Sequence, residues 1–253
     1  MKMKKILFLC LVIGSIAGCT KETSMEEGNN TLTISFRLIA NGEPLKTGVN
    51  YLNGAGENYT VSLFKFYISQ ISLANSATLK NTAEQESYHL VDLNTPASQQ
   101  LKVQLKSGTY NQLLFTVGVD SIRNVSGAQT GALDPTNGMF WTWNTGYIFA
   151  KLEGKSAFST EPGQSFTYHI GGFRTGQNAI RPVVLPFPGD QPVTIGSGKS
   201  TEIIIDVNLD QWFDGAHQLS IATTPAWMTP GGESLNIADN YATMFSVNSL
   251  VIQ

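Results

Sequence analysis

The stretch Leu32-Thr33-Ile34-Ser35-Phe36-Arg37-Leu38 alternates apolar and polar side chains. A period of two is the signature of a β-strand with one face buried. The same alternation recurs in Leu113, Phe115, Val117 and Val119, and in Ile203, Ile205, Val207 and Leu209. Residues 61–73 are instead apolar on both faces and rich in aromatics, which suits a central strand covered on each side. Further strand candidates are 88–93, 101–105, 147–152, 164–171 and 180–185, with turn signals such as Asn41-Gly42, Ser107-Gly108 and Pro188-Gly189 between them. Helix signals are few: 235–245 has the spacing of a short helix, and 211–214 of a single turn. The pattern predicts an all-β, single-domain β-sandwich with a long ordered loop and one or two short helices, spanning residues 31–253.

One connection breaks the rhythm. Residues 120–138 show no periodicity and are punctuated by Gly127, Gly131, Pro135 and Gly138. Loops longer than about 12–15 residues inside a compact domain are usually functional or disordered. This one runs into Met139-Phe-Trp-Thr-Trp143, which favours order and function. In an extended backbone Met139, Trp141 and Trp143 share one side, with Phe140, Thr142 and Asn144 opposite. The loop's oxygen donors, Asp120, Asn124, Asp134 and Asn137, could chelate calcium. Their spacing matches no EF-hand, and turn-forming side chains are the competing reading.

The N-terminus speaks to location. Lys2, Lys4 and Lys5 precede an apolar run, Ile6 to Ile13, and the segment ends Ile16-Ala17-Gly18-Cys19. This reads as a secretory signal over 1–18, with Cys19 as the lipid-attachment residue of a bacterial lipoprotein. Residues 19–30 are then a polar tether, and the expected address is the cell envelope, most simply the outer membrane on its periplasmic or surface face. Cys10 leaves with the signal and Cys19 takes lipid, so the mature chain has neither a disulfide nor a thiolate metal site. Cleavage removes 18 of 253 residues, with three lysines and no acid. The remaining 235 carry 13 Lys and Arg against 19 Asp and Glu, a formal net charge of −6. Nucleic acid, which needs clustered cations, is excluded as a partner.

Of the three histidines, His89 reads as structural and His217 as a solvated turn residue. His169 is better placed. Phe166, Tyr168 and Ile170 form an apolar face, so His169 points to the other, and Gly171-Gly172 admits close approach of a ligand or another backbone.

Phe66-Tyr67-Ile68-Ser69-Gln70-Ile71, Gly118-Val119-Asp120-Ser121, Gly131-Ala132-Leu133-Asp134-Pro135, Met139-Phe-Trp-Thr-Trp-Asn-Thr-Gly-Tyr147, Leu152-Glu153-Gly154, His169-Ile170-Gly171-Gly172 and Ile237-Ala238-Asp239-Asn240 occur in this order. Together they resemble the MbnP-like family, the methanobactin-associated periplasmic proteins related to secreted copper-binding proteins of methane oxidisers. The resemblance implies an all-β extracytoplasmic domain. It also implies copper bound through histidine and a kynurenine made by oxidising a tryptophan, in some members with a dihaem peroxidase-like partner. Carried over, these roles fall on His169 and on the Trp141–Trp143 segment, with Trp141 the residue open to modification. In a copper-binding relative the order is tryptophan, any residue, histidine, so Trp143 stands where a second imidazole would be. A thioether from Met139 or Met244 could complete a Cu(I) site.

Two other classes compete. A surface lipoprotein binding glycan or a protein partner would use exposed aromatics, with Trp212 and Trp227 as candidates. An enzyme would need a placed acid–base pair, and although Asp92, Asp120, Asp134, Glu153 and Asp239 supply carboxylates, no spacing selects two of them. The chain is therefore expected to bind rather than catalyse.

Overall fold

The computed structural model describes residues 29–144, 146–196 and 198–253. The expected signal segment, Cys19 and the expected tether as far as residue 28 lie outside these. The first strand, Asn29–Ala40, already includes the last two residues expected in the tether.

Two sheets face each other, as the alternation predicts. The first has five strands with Asn29–Ala40 at its heart. Thr201–Asn208 pairs with it in parallel, setting Ile34 beside Ile203, Phe36 beside Ile205 and Leu38 beside Val207. These side chains point to one face because successive side chains of a strand alternate. Gln100–Lys106 flanks the other edge, and Phe245–Ile252 pairs with Thr201–Asn208.

The second sheet has nine strands and is built on Asn58–Ala74. Ile148–Lys155 pairs with its first half and carries Ser165–Gly171 on its far edge, while Gln112–Val117 pairs with the second half. Gln70 has a φ of 56°, and the register shifts between Ser69 and Ser72. That bulge bends the strand and lets it serve different partners along its length.

Aromatic side chains fill the space between the sheets. Phe36 meets Phe66 edge-on at 6.1 Å, and Phe245 contacts Phe66 at 5.7 Å and Phe115 at 5.1 Å. Trp212 is fully buried among Phe64, Tyr168 and Tyr241. Burying each such side chain stabilises the fold by about 1.5–3 kcal/mol.

The face of the second sheet turned away from this core bears Lys65, Lys151, Glu153 and His169. Tyr67 shares that face yet is fully buried. The long connection is folded over it. Residues 61–73 read as apolar on both sides because register shifts at 61–63 and at 69–72 change which alternate residues face the core, and because Tyr67 is covered from outside. Tyr67 donates its hydroxyl proton to Ala132 O (2.9 Å), and Tyr147 donates to Leu133 O (2.7 Å). Lys65 and Lys151 reach the carbonyls of Asn137 and Gly138. The loop is ordered, as expected, through the helix Ser121–Val125 and the turns Gly131–Leu133 and Pro135–Asn137. The other helices, Asp210–Phe213 and Glu233–Ala242, match the two sequence signals.

Candidate functional site

The corner where the loop returns to the sheet brings the predicted residues together. Residues 139–144 and 146–148 fold back against each other: Trp141 N donates to Gly146 O (3.1 Å), Ile148 N donates to Met139 O (2.9 Å), and Phe140 bridges Tyr147. Phe140 packs edge-on against Tyr147 at 5.1 Å, while Asn144, expected on the side opposite Trp141, lines the same crevice as Trp141. Met139 and Trp141 are buried, whereas Trp143 is 63% exposed. The two indoles touch, with ring centroids 5.7 Å apart and planes at 46°.

Trp141 lies over Gly171, two residues from His169 on the same face of Ser165–Gly171. A Cβ on Gly171 would come within 2.9 Å of the Trp141 ring. Gly172, with φ of 118°, is closed upon by the backbone carbonyl of Gln177 and by the Pro230 ring. The pair of glycines therefore does admit close approach, of the Tyr147 carbonyl and an indole at one position and of the Gln177 carbonyl at the next. The Trp141 indole N–H is buried and has no hydrogen-bond partner among the described residues. Beside it runs a narrow crevice of about 20 Å³ lined by Trp141, Asn144, Gly146, Phe173, Gln177 and Pro230 among others. That is room for about one water.

His169 sits in a charged row. Its Nε2 is 2.7 Å from Glu153 Oε1, and Lys151 Nζ is 3.4 Å from the same oxygen. Lys151 stands directly between His169 and Lys65 in the sheet register, and Lys65 pairs with Asp92 at 3.2 Å. The His169 hydrogen bond holds the Glu153 carboxyl below its ordinary value, assisted by Lys151 and opposed by burial. Glu153 was visible in the sequence as one carboxylate among several. Its role follows from a strand register that no local motif encodes.

Several expected residues have other roles. Asp120 caps the Ser121–Val125 helix and accepts from Tyr88, and Asp134 accepts from the backbone and hydroxyl of Thr136. Asn124 is buried, donates to Val119 O and Asp120 O, and accepts from Tyr147 N. Asn137 donates to Gly131 O and Ala132 O. These four side chains build caps and turns. Met244 lies at the end of the first sheet, its carbonyl accepting from Asn208 N, and not at the hairpin corner. Trp212 cannot be a stacking platform, since it is wholly buried. Trp227 is half-buried, with its N–H given to Thr229 O and Gly231 O. Trp143 is the tryptophan that meets solvent. His89 is held by Glu84 at 2.8 Å, and His217 by Asp239 at 3.2 Å.

The side chains as encoded fall short of a copper site. Among the described residues no three of His, Cys, Asp and Glu come together at metal-binding range. His169 contributes one imidazole, and its partners are a carboxylate and a lysine.

By architecture the chain is a two-sheet β-sandwich with one outer face roofed by a long connection. It belongs to the MbnP family, whose model matches residues 29–230. The helix Glu233–Ala242 and the last strand lie beyond that match. Among solved structures, MbnP from Methylosinus trichosporium is similar over 75% of this chain and 79% of its own, with a TM-score of 0.51 and 17% identity. That likeness speaks for the fold. No curated protein matches the chain.

Proposed function

We propose that this chain is a copper-handling lipoprotein of the cell envelope and that its working site is the Trp141–His169 corner. The observation that carries the reading is the delivery of Trp141, by a dedicated hairpin, to the sheet face that bears His169. The buried indole N–H has no partner there, so ring opening at this position breaks no hydrogen bond of the fold. Metal capture depends on that modification. A kynurenine at position 141 adds an aromatic amine to the His169 imidazole and the Met139 thioether, a soft, low-coordinate set suited to Cu(I). The oxidising partner implied by the resemblance is a dihaem peroxidase-like protein. The mature chain carries no catalytic role in this scheme.

Peptide mapping of protein purified from its own host, beside Trp141→Phe, tests the reading. The expected result is a kynurenine mass on the residue at 141 in the wild type, together with copper retention that the variant lacks. An unaltered Trp141, with equal copper retention in both proteins, refutes it. The exposed Trp143 would then support the other class, recognition of a glycan or protein through surface aromatics.

A further inference from the structure

The contact between Trp141 and Trp143 joins one of the most buried indoles of the chain to its most exposed one. Among the described ring contacts no other links an exposed aromatic to a buried one. Trp141 is 4% exposed, and the crevice it lines is the size of a water, so a bulky oxidant is kept from its ring. Trp143 projects from the hairpin turn, and it is Trp141's one ring neighbour among the described residues. Tyr147 and Phe173 also line the crevice beside Trp141, but Tyr147 is fully buried, so of the rings around Trp141 it is Trp143 that lies open to an external oxidant.

We infer that Trp143 is a surface relay through which an external one-electron oxidant draws electrons from Trp141. This rests on the reading of Trp141 as the oxidised residue and adds the route. The oxidant belongs to the class of high-potential, protein-held oxidants such as a ferryl haem. It takes an electron from the Trp143 ring and is itself reduced by one electron. Trp141 then gives an electron to the Trp143 radical cation across the 5.7 Å contact, restoring Trp143. The Trp141 radical cation loses its N–H proton to water, the indole N–H having no partner in the fold that must first give it up. Each passage removes one electron and one proton from Trp141 and leaves Trp143 unchanged. Trp143 is a positioning and relay residue, and it touches neither metal nor substrate.

The test uses the mature full-length protein and a photogenerated tris(bipyridine)ruthenium(III) ion, a bulky one-electron oxidant, with persulfate as the terminal acceptor. Oxidised Trp141 is quantified by peptide mapping in wild type, Trp143→Phe and Trp143→Tyr. Phenylalanine keeps an aromatic ring but cannot be oxidised under these conditions, whereas tyrosine can. The expected result is a several-fold fall in Trp141 oxidation in Trp143→Phe, with oxidation largely kept in Trp143→Tyr. A packing role would move both variants alike. Equal loss in both, no loss in Trp143→Phe, or oxidation that stops on Trp143 in the wild type overturns the relay. The two readings fail separately. Trp141 oxidised through Trp143 but unable to hold copper leaves the relay standing and removes the copper role. Normal Trp141 oxidation in Trp143→Phe with intact copper binding does the reverse.

Discussion

Trp212 and Trp141 are both buried indoles whose N–H lacks a partner among the described residues, yet they sit in opposite kinds of place. Trp212 is enclosed between the two sheets by Phe64, Tyr168 and Tyr241. Trp141 lies outside the second sheet under a hairpin, with a glycine beneath it, an exposed tryptophan against it and a histidine two residues along. An unpaired buried N–H costs stability wherever it occurs. In the sealed core, packing of large aromatic surfaces offsets that cost. At the corner the same cost is carried by a thin roof, beside titratable side chains and a route to solvent. An orphaned donor therefore does not mark a site. Its company does.

The contrast can be broken most forcefully at Trp212. Trp212→Ala empties the aromatic centre and is expected to lower unfolding free energy by about 3–5 kcal/mol in denaturant titration. A loss no larger than that of Trp141→Ala would erase the distinction between core and roof. Gly171→Ala sharpens the other side. Its methyl group would fall 2.4 Å from Tyr147 O and 2.9 Å from the Trp141 ring, so a cost of about 1–3 kcal/mol is expected, together with a red shift of the fluorescence as the hairpin and its indole are pushed toward solvent. Unchanged emission would mean that Trp141 does not rest on Gly171.

Glu57 provides a measure from the sealed region. It is buried and accepts from Asn53, Ser220, Ile221 N and Ala222 N. Burial alone would raise its carboxyl, but these donors outweigh it and hold the group below the ordinary carboxylate value. A depressed folded pKa contributes stability that is complete above the unfolded carboxylate range and is lost as pH falls through the folded value. Glu57→Gln should cost about 1–3 kcal/mol at neutral pH and flatten the acid limb of the stability profile. A parallel acid limb would show that Glu57 is not among the groups driving acid unfolding. The smallest effect is expected at the exposed end of the indole pair, where Trp143→Ala should change stability by less than about 0.5 kcal/mol.

The architecture was legible because the strands of both sheets bury one face and leave that period in the sequence. Leu32 to Leu38 and Ile203 to Leu209 could each be read as strands, but their parallel pairing could not, since nothing local encodes which strand lies beside which. The same gap hid the row Lys65, Lys151, His169, whose members are neighbours only through register. That Trp141 and Trp143 would meet was readable from alternation. That Trp143 would be exposed and Trp212 sealed was not, because both stand near turn residues and only tertiary packing separates them. The helix Ser121–Val125 was missed since its start depends on the Asp120 cap and it has no apolar stripe. Asp120, Asn124, Asp134 and Asn137 looked like possible calcium ligands because capping and chelation draw on the same side-chain oxygens.

The corner itself is tested most directly by Cu(I) competition against a chromophoric chelator, using mature protein from its own host, wild type beside His169→Ala. The expected result is a single equivalent bound by the wild type with a dissociation constant below about 1 μM, and binding lost in the variant. Binding of equal strength in both proteins, or in neither, would contradict a copper site at Trp141 and His169.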